Sequence, residues 1–444
     1  MRRLAALVAG AVAIAATTYA FRASYRDDGV SSQAESAFVA AGVGEPVARA
    51  DRSELERLIA AFELRVREHS DPLDYKFLGR LYLDRARTSG DVDSYTSAAT
   101  ALENALAIAP ADPEALVLLG SVRYATHDFS AARDIGRRVY QADGSQLAAL
   151  LLAADASLEV GGYSEAADAY ATLERALPAT GAVEAREARL AFLRGDSRGA
   201  AALATRAESD AAMQGAFGAS LAWYAHLRAQ IAYDSGDYTG SEAHERHALE
   251  IAPAYHVALG GLARALAAQG RTDDALAAYE RAIAIVPQPE YLAALGDLVA
   301  RAGDAARADK TYGTIEAIAS LAPDRARLYD RQLALFYVDH ERSPDRALAI
   351  ATASLESRPD VYGFDAFAWA LYANGRYADA RAASDRARAL GTGDARILYH
   401  AGMISVALGD AARGHDELTA ALRLSPEFDP LQAARARRAL AAQP

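Results

Sequence analysis

Two histidines on one helix face can share a metal ion, and a neighbouring carboxylate can move a proton. The best such group in this sequence is His244-Glu245-Arg246-His247, with Glu242 close by. The histidines stand at i and i+3 and so share a face. The spacing departs from H-E-x-x-H, and the sequence places no third ligand. A solvated helix face is the simpler reading. Arg194-Gly195-Asp196 spells a cell-adhesion tripeptide, but Gly-Asp recurs along this chain where turns are expected. Lys76 and Lys310 are the only lysines and neither follows a glycine, so there is no G-x-x-x-x-G-K-[ST] phosphate loop. G-x-S-x-G is spelled once, from Gly195 to Gly199, but no strand precedes it, so it does not read as a nucleophile elbow. No dinucleotide fingerprint lies between a strand and a helix, because no segment reads as a strand. The expectation is a protein that is not an enzyme and that uses no metal and no cofactor.

The composition narrows the partners. The chain has 444 residues and a net charge of -12, with arginine supplying nearly all the positive charge and no basic tract. Such a surface suits neither nucleic acid nor an anionic membrane face. Hydrophobic residues reach 52% while aromatics are 8%, so the apolar content is mostly alanine and leucine, both strong helix formers. With no cysteine, disulfides, thiol catalysis and cysteine-based zinc sites are excluded. At the N-terminus, Arg2 and Arg3 precede an uncharged run from Leu4 to Phe21, followed by small residues. Residues 1–26 read as a signal peptide or N-terminal membrane anchor, with Ala13-Ile14-Ala15 or Thr18-Tyr19-Ala20 as the cleavage site. Residues 27–50 read as a polar spacer, and the remainder is expected outside the cytoplasm.

From Asp51 the chain repeats itself. Gly161 and Gly195, Gly236 and Gly270, and Gly375 and Gly409 are each 34 residues apart; Gly270 and Gly303 are 33 apart. Each glycine sits where a helical hairpin must reverse. A second ladder is made of prolines that end helices, such as Pro253 and Pro287. Between these marks lie Leu262-Ala263, Leu266, Ala275, Tyr279 and Ala282, with small residues where two helices touch and a large ring beside them. Looser copies are Leu295-Gly296, Ala308, Tyr312 and Pro323, then Ala401-Gly402, Leu418, Ala421 and Pro426; Leu119-Gly120 and Ala132 mark another, from which Gly136 and Gly144 depart. On these residues the stretch from Asp71 to Pro426 resembles the tetratricopeptide-repeat (TPR) superfamily. The order of leader, inserted first hairpin, Ala368 to Tyr372 motif and Pro430 to Gln432 ending is also similar to secreted bacterial TPR proteins of unassigned role.

The resemblance implies an all-α fold: a right-handed TPR superhelical solenoid of antiparallel helix pairs, with N- and C-terminal capping helices. Asp51-Arg52-Ser53-Glu54 reads as the start of the first cap, and Leu431 to Ala442 as the last. Thr88 to Tyr95, and the interval from Gly195 to Gly236, each exceed the period by about seven residues. The second excess contains Met213 to Gly218 and suggests an N-terminal half, 51–212, and a C-terminal half, 213–444.

The same resemblance implies a concave binding surface at the second, fifth, ninth and twelfth residues of each unit. In successive units these are Trp223, His226, Gln230 and Tyr233; then Tyr329, Gln332, Phe336 and Asp339; then Tyr362, Asp365, Trp369 and Tyr372; and last Arg396, Tyr399, Met403 and Val406. The unit from His256 offers a plainer set, Val257, Gly260, Arg264 and Ala267. Both tryptophans therefore fall on expected groove positions, although the same rings could instead pack between adjacent first helices. The implied function is a non-enzymatic extracytoplasmic scaffold binding a protein or peptide segment. A glycan- or small-ligand-binding protein with aromatic platforms and a structural subunit of an envelope assembly are the alternatives.

Overall fold

Aspartates set where many of the helices begin. Asp112, Asp196, Asp237 and Asp410 each stand just before a helix, and each carboxylate accepts a backbone N–H three residues on, at 3.0, 2.8, 2.8 and 3.2 Å. Each such cap is worth about 1 kcal/mol. In the last three the preceding residue is a glycine in the left-handed region, with φ of 80°, 81° and 81°. That glycine closes one helix and the aspartate opens the next. Asp196 N donates to the Ala191 carbonyl and Gly195 N to that of Phe192, the bonds expected of such a helix end. The Gly-Asp recurrence, including that of Arg194-Gly195-Asp196, is a hairpin turn.

The computed structural model describes residues 52–89, 91–321 and 327–442. The leader, the spacer and Asp51 lie outside these. Twenty-two α-helices and no strands are found among the described residues. A first helix, α1 (Arg52–Glu68), is followed by ten antiparallel pairs. They are α2 (Pro72–Ser89) with α3 (Asp93–Ile108), α4 (Pro113–Ala125) with α5 (Phe129–Ala142), α6 (Leu147–Glu159) with α7 (Tyr163–Ala176), and α8 (Gly181–Leu193) with α9 (Ser197–Met213). Next are α10 (Gly218–Asp234) with α11 (Tyr238–Ile251), α12 (His256–Ala268) with α13 (Thr272–Ile285), and α14 (Pro289–Arg301) with α15 (Ala305–Leu321). A 3-10 turn at Arg327–Tyr329 leads to α16 (Asp330–Asp339) with α17 (Pro344–Ser357), then α18 (Val361–Ala373) with α19 (Tyr377–Ala387), and α20 (Ala395–Ala407) with α21 (Ala411–Leu424). The chain closes with α22 (Gln432–Ala441). This is an all-α helical repeat solenoid.

Most helices are three to four turns long and would be marginal alone in water. Small side chains let the two members of a pair approach: Ala132, Ala166, Ala200, Ala275, Ala347 and Ala380 are fully buried. Neighbouring pairs then share a continuous apolar interior. The excess residues between Gly195 and Gly236 do not form a long loop. They lengthen α9 and α10 to 17 residues each, against 14 and 13 in α11 and α12. The excess near Thr88 is likewise largely absorbed by α2 and α3, of 18 and 16 residues.

A set of contacts outside the repeat pattern joins distant pairs. Val361 N donates to the Tyr163 hydroxyl at 2.8 Å, across 198 positions. The Thr392 hydroxyl donates to the Leu193 carbonyl at 2.6 Å, across 199. Tyr233 donates to the carbonyls of Glu427 and Phe428 at 3.2 and 3.3 Å, and Glu427 N donates to the Tyr238 hydroxyl at 2.7 Å. The turns of three successive pairs, α6/α7, α8/α9 and α10/α11, thus meet the links α17–α18, α19–α20 and α21–α22. One superhelical turn closes edge to edge on the next along this seam.

The seam uses the turn glycines twice. A Cβ at Gly195 would lie 2.5 Å from the Gly391 carbonyl oxygen, and at Gly161 2.7 Å from that of Pro359. A Cβ at Gly270, where φ is 77°, would have nothing within 4 Å. Gly270→Ala should therefore cost only the left-handed backbone term, about 1–2 kcal/mol. Gly195→Ala should cost about 1–3 kcal/mol more through the clash. Urea midpoints of the two variants, measured side by side, check this.

Candidate functional site

The first helices of adjacent pairs contact one another, and several of their polar residues are tied together. Asp155 on α6 accepts Arg186 Nε of α8 at 2.8 Å and the Tyr170 hydroxyl at 2.8 Å. Buried Glu159 meets Arg189 at 2.6 Å and, across the seam, Arg358 Nε at 2.7 Å. Buried Asp365 on α18 lies 3.0 Å from His400 Nδ1 on α20. Charges removed from water are tolerated only when partnered in this way.

One of these pairs sets a pH dependence. His340 Nε2 lies 2.7 Å from Asp297 Oδ1, and its Nδ1 lies 2.7 Å from the Phe336 carbonyl oxygen. Both ring nitrogens face acceptors, which suits the imidazolium. Burial opposes that charge, but the Asp297 contact outweighs it and the pKa is raised. A raised folded-state pKa gives stability that is complete below the unfolded value, about 6.5, and lost as pH rises through the folded value. The stability difference between the wild type and His340→Gln should shrink on going from roughly pH 6 to pH 9. Urea titrations across that range read it directly.

The expected groove residues divide into two groups. Trp369 is 3% exposed, stacked on Tyr372 at 4.6 Å and on His400 at 4.3 Å between centroids, with Tyr399 edge-on at 5.6 Å. Its Nε1 donates to Asp339 at 2.8 Å. Phe336 and Tyr399 are buried as well. His226 is buried with Nδ1 2.8 Å from Glu245, and Tyr233 is buried in the seam. For these residues and Asp365 the expectation of an open groove is corrected: they form interior packing. The reason lies partly at the C-terminus. Phe428 packs on Tyr399 at 5.7 Å, while Gln432 and Arg435 of α22 donate to the Asp339 side chain and carbonyl at 2.7 and 2.9 Å. The cap covers the face that a ligand was expected to occupy. Asp339 and Asp365, both expected groove positions, already have partners within the chain.

The second group keeps contact with solvent. Gln230 is exposed, and Trp223, Tyr329, Gln332, Tyr362, Tyr372, Arg396, Met403 and Val406 are half-buried. Trp223 lies edge-on to Tyr224 at 5.0 Å, and Arg331 stands over the Tyr362 ring at 5.6 Å. Tyr233, Tyr362 and Arg396 converge on a cavity of about 190 Å³ that the seam encloses. Asp234, Arg264, Glu290, Asp394, Ser425 and Phe428 also line it. No motif or spacing marks these six in advance. Arg264 fell in the plainest unit, and nothing local tells that α12 faces α20. A second, more open cleft of about 480 Å³ lies between α1, α2 and α3, lined by Val66, Tyr75, Leu78 and Tyr82 among others.

The helix face around His244 and His247 is divided between two environments. His247 Nε2 lies 3.1 Å from Glu208, whereas Glu245 turns inward to His226. Among the described residues no three metal-ligating side chains come together.

A tetratricopeptide-repeat family profile matches residues 232–298, and a profile for anaphase-promoting complex, cyclosome, subunit 3 matches residues 91–173. No curated protein matches the sequence. Among solved structures, yeast Tom70 is 13% identical, with 92% of this chain and 96% of that one covered and a TM-score of 0.38. The human IFIT1 dimer with PPP-AAAA is 13% identical, covering 84% and 95%, at 0.45. The APC/C hetero-tetramer Cut9-Hcn1 is 14% identical, covering 94% and 98%, at 0.34. At this level of likeness none of the three speaks to what the chain binds. In its repeat period, its ten helix pairs and residues 232–298 the chain is similar to the tetratricopeptide-repeat superfamily.

Proposed function

We propose that the chain is a non-enzymatic scaffold that binds a protein or peptide segment through the inner helices, outside the cytoplasm. The observation that carries the reading is the set of partly exposed aromatic and amide side chains on the first helices of several pairs, Trp223, Gln230, Gln332, Tyr362 and Tyr372, joined by Tyr329 in the turn before α16. Half-exposed rings combine apolar area with a polar edge, the character of binding hot spots. The helix ladder holds them at fixed spacing, so a bound segment loses its own freedom without reordering the scaffold. The enclosed rings beneath, Trp369 and Tyr399 among them, brace this surface instead of contacting the partner. The basic start and apolar run of residues 1–26 support export or anchoring.

A photo-crosslinking amino acid placed at Gln230 or Gln332 in the native host tests the binding surface. A discrete protein adduct is expected from these positions and none from Thr314, an exposed residue of the second helix α15. No adduct from the inner positions, or an equal one from Thr314, contradicts the reading. A reporter fused after Asp28 and active only in the cytoplasm would reject the location.

A further inference from the structure

Several buried carboxylates of this protein sit in contact with a cation or an imidazole. Asp155, Glu159, Glu245 and Asp365 each have a cationic or imidazole partner within 3.0 Å. Asp234, Glu290, Arg264 and Arg396 line a shared cavity of about 190 Å³. Among the described residues, none of these four side chains makes a hydrogen bond or an ion pair. Arg264 lies over the Tyr233 ring at 4.0 Å, which leaves its N–H groups unused. Arg396 contributes only its backbone N–H, to the Asp394 cap of α20. Burial raises the Asp234 pKa to about 6, and the nearby Asp394 charge adds to the shift while Arg264 opposes it. Partly buried charges of both signs that face one cavity without contacts of their own leave donors and acceptors free for a small ligand.

We propose that this cavity binds a free zwitterion of amino-acid size, its carboxylate against Arg264 and Arg396 and its ammonium against Asp234 and Glu290. Both signs are needed to satisfy the set, because an anion or a cation alone would leave one pair of protein charges unanswered. The volume is that of roughly six liquid waters, enough for one such molecule and too small for a folded segment. Tyr362 and Phe428 supply an apolar wall for a short side chain. Entry is open, since Glu290 is exposed and Asp234 and Arg396 are only half-buried. The walls come from α10, α12 and α14 on one side of the seam and from α18, α20 and the Ser425–Phe428 link on the other. An occupant therefore ties the two turns together. The proposal does not depend on the protein-binding reading above, and either can fail alone.

The test is thermal unfolding of the full chain with each of the twenty L-amino acids at millimolar concentration, and with putrescine and acetate as single-sign controls. A ligand that binds only the folded state raises the melting temperature, here by roughly a few degrees. At least one amino acid should do so, while putrescine and acetate do not. Arg396→Gln and Asp234→Asn each remove an unpaired charge, so both variants should fold, and both should lose the response. No shift with any amino acid overturns the proposal. So does an equal shift with putrescine or acetate, or a shift that survives in both variants.

Discussion

Trp369→Ala is expected to lower the stability of the folded chain by about 3–5 kcal/mol, the range for deleting a large buried aromatic side chain. The ring is held on both faces, by Tyr372 and His400, and on its edge by Tyr399. No single neighbour can move into the space it leaves. Its indole N–H is also one of two side-chain donors to the Asp339 carboxylate, the other being Gln432. Burial already pushes the Asp339 pKa up, and losing a donor should push it further. Trp369→Phe separates the two effects. It keeps most of the stacked area and loses the hydrogen bond, so its cost should be about 1–3 kcal/mol, mainly from the buried carboxylate left short of a partner. Urea unfolding of both variants measures the difference. A loss below about 1 kcal/mol for Trp369→Ala would show that the ring is not enclosed as described.

Glu159→Ala should be comparably severe. Its carboxylate is 2% exposed and holds two guanidiniums, Arg189 from the neighbouring first helix and Arg358 from across the seam. Removing it leaves Arg358, 20% exposed, without this partner, while Arg189, 39% exposed, can turn to water, so the cost should fall towards the lower end of the about 3–5 kcal/mol seen for fully buried pairs. Burial disfavours the charged form of Glu159, but Arg189, Arg358 and Arg331 prevail and hold its pKa well below the usual carboxylate range. A depressed folded-state pKa gives stability that is present above the unfolded value, about 4.3, and lost as pH falls through the folded value. The advantage of the wild type over the variant should therefore begin to shrink as pH falls below about 4.3 and go on shrinking into strong acid. Glu165→Ala is the control. Glu165 pairs with Arg137 near the surface, and its loss should change stability by no more than about 1 kcal/mol. Equal effects of the two substitutions would contradict the buried network.

The repeat was readable because its determinants are local. Gly195 and Asp196 close one helix and open the next within two residues, and Ala275, Tyr279 and Ala282 meet a helix only one turn of chain away. Such signals recur at the repeat period and reinforce one another. The seam has no such signature. Val361 finds Tyr163, and Thr392 finds Leu193, because small rotations accumulate over several pairs, and no short window of sequence records their sum. The candidate surface failed to read for the same reason. A position pattern drawn from single units puts Trp369 and Tyr399 on a free face, but it cannot foresee that Phe428 and Gln432 return to cover that face. The polar residues around the cavity come from five different pairs and the closing link, so their convergence is a property of the superhelix alone.

The seam is also what makes the repeat array more than a sum of neighbours. The enclosed cavity and the arrangement of the inner face both require it to be closed. A Cβ built on Gly393 lies 3.7 Å from the Ser197 hydroxyl oxygen, so a sulfur in place of that oxygen needs to move by only about 0.7 Å to reach disulfide geometry, and the φ of Gly393 lies outside the left-handed region. The chain contains no cysteine, so Ser197→Cys combined with Gly393→Cys can form only one intramolecular bond. Under mild oxidation of the folded double variant, a monomer of increased mobility on a non-reducing gel is predicted, with no free thiol and a raised melting temperature. Two free thiols persisting in the oxidised folded protein, or cross-linked dimers in place of the compact monomer, would contradict the closed superhelix.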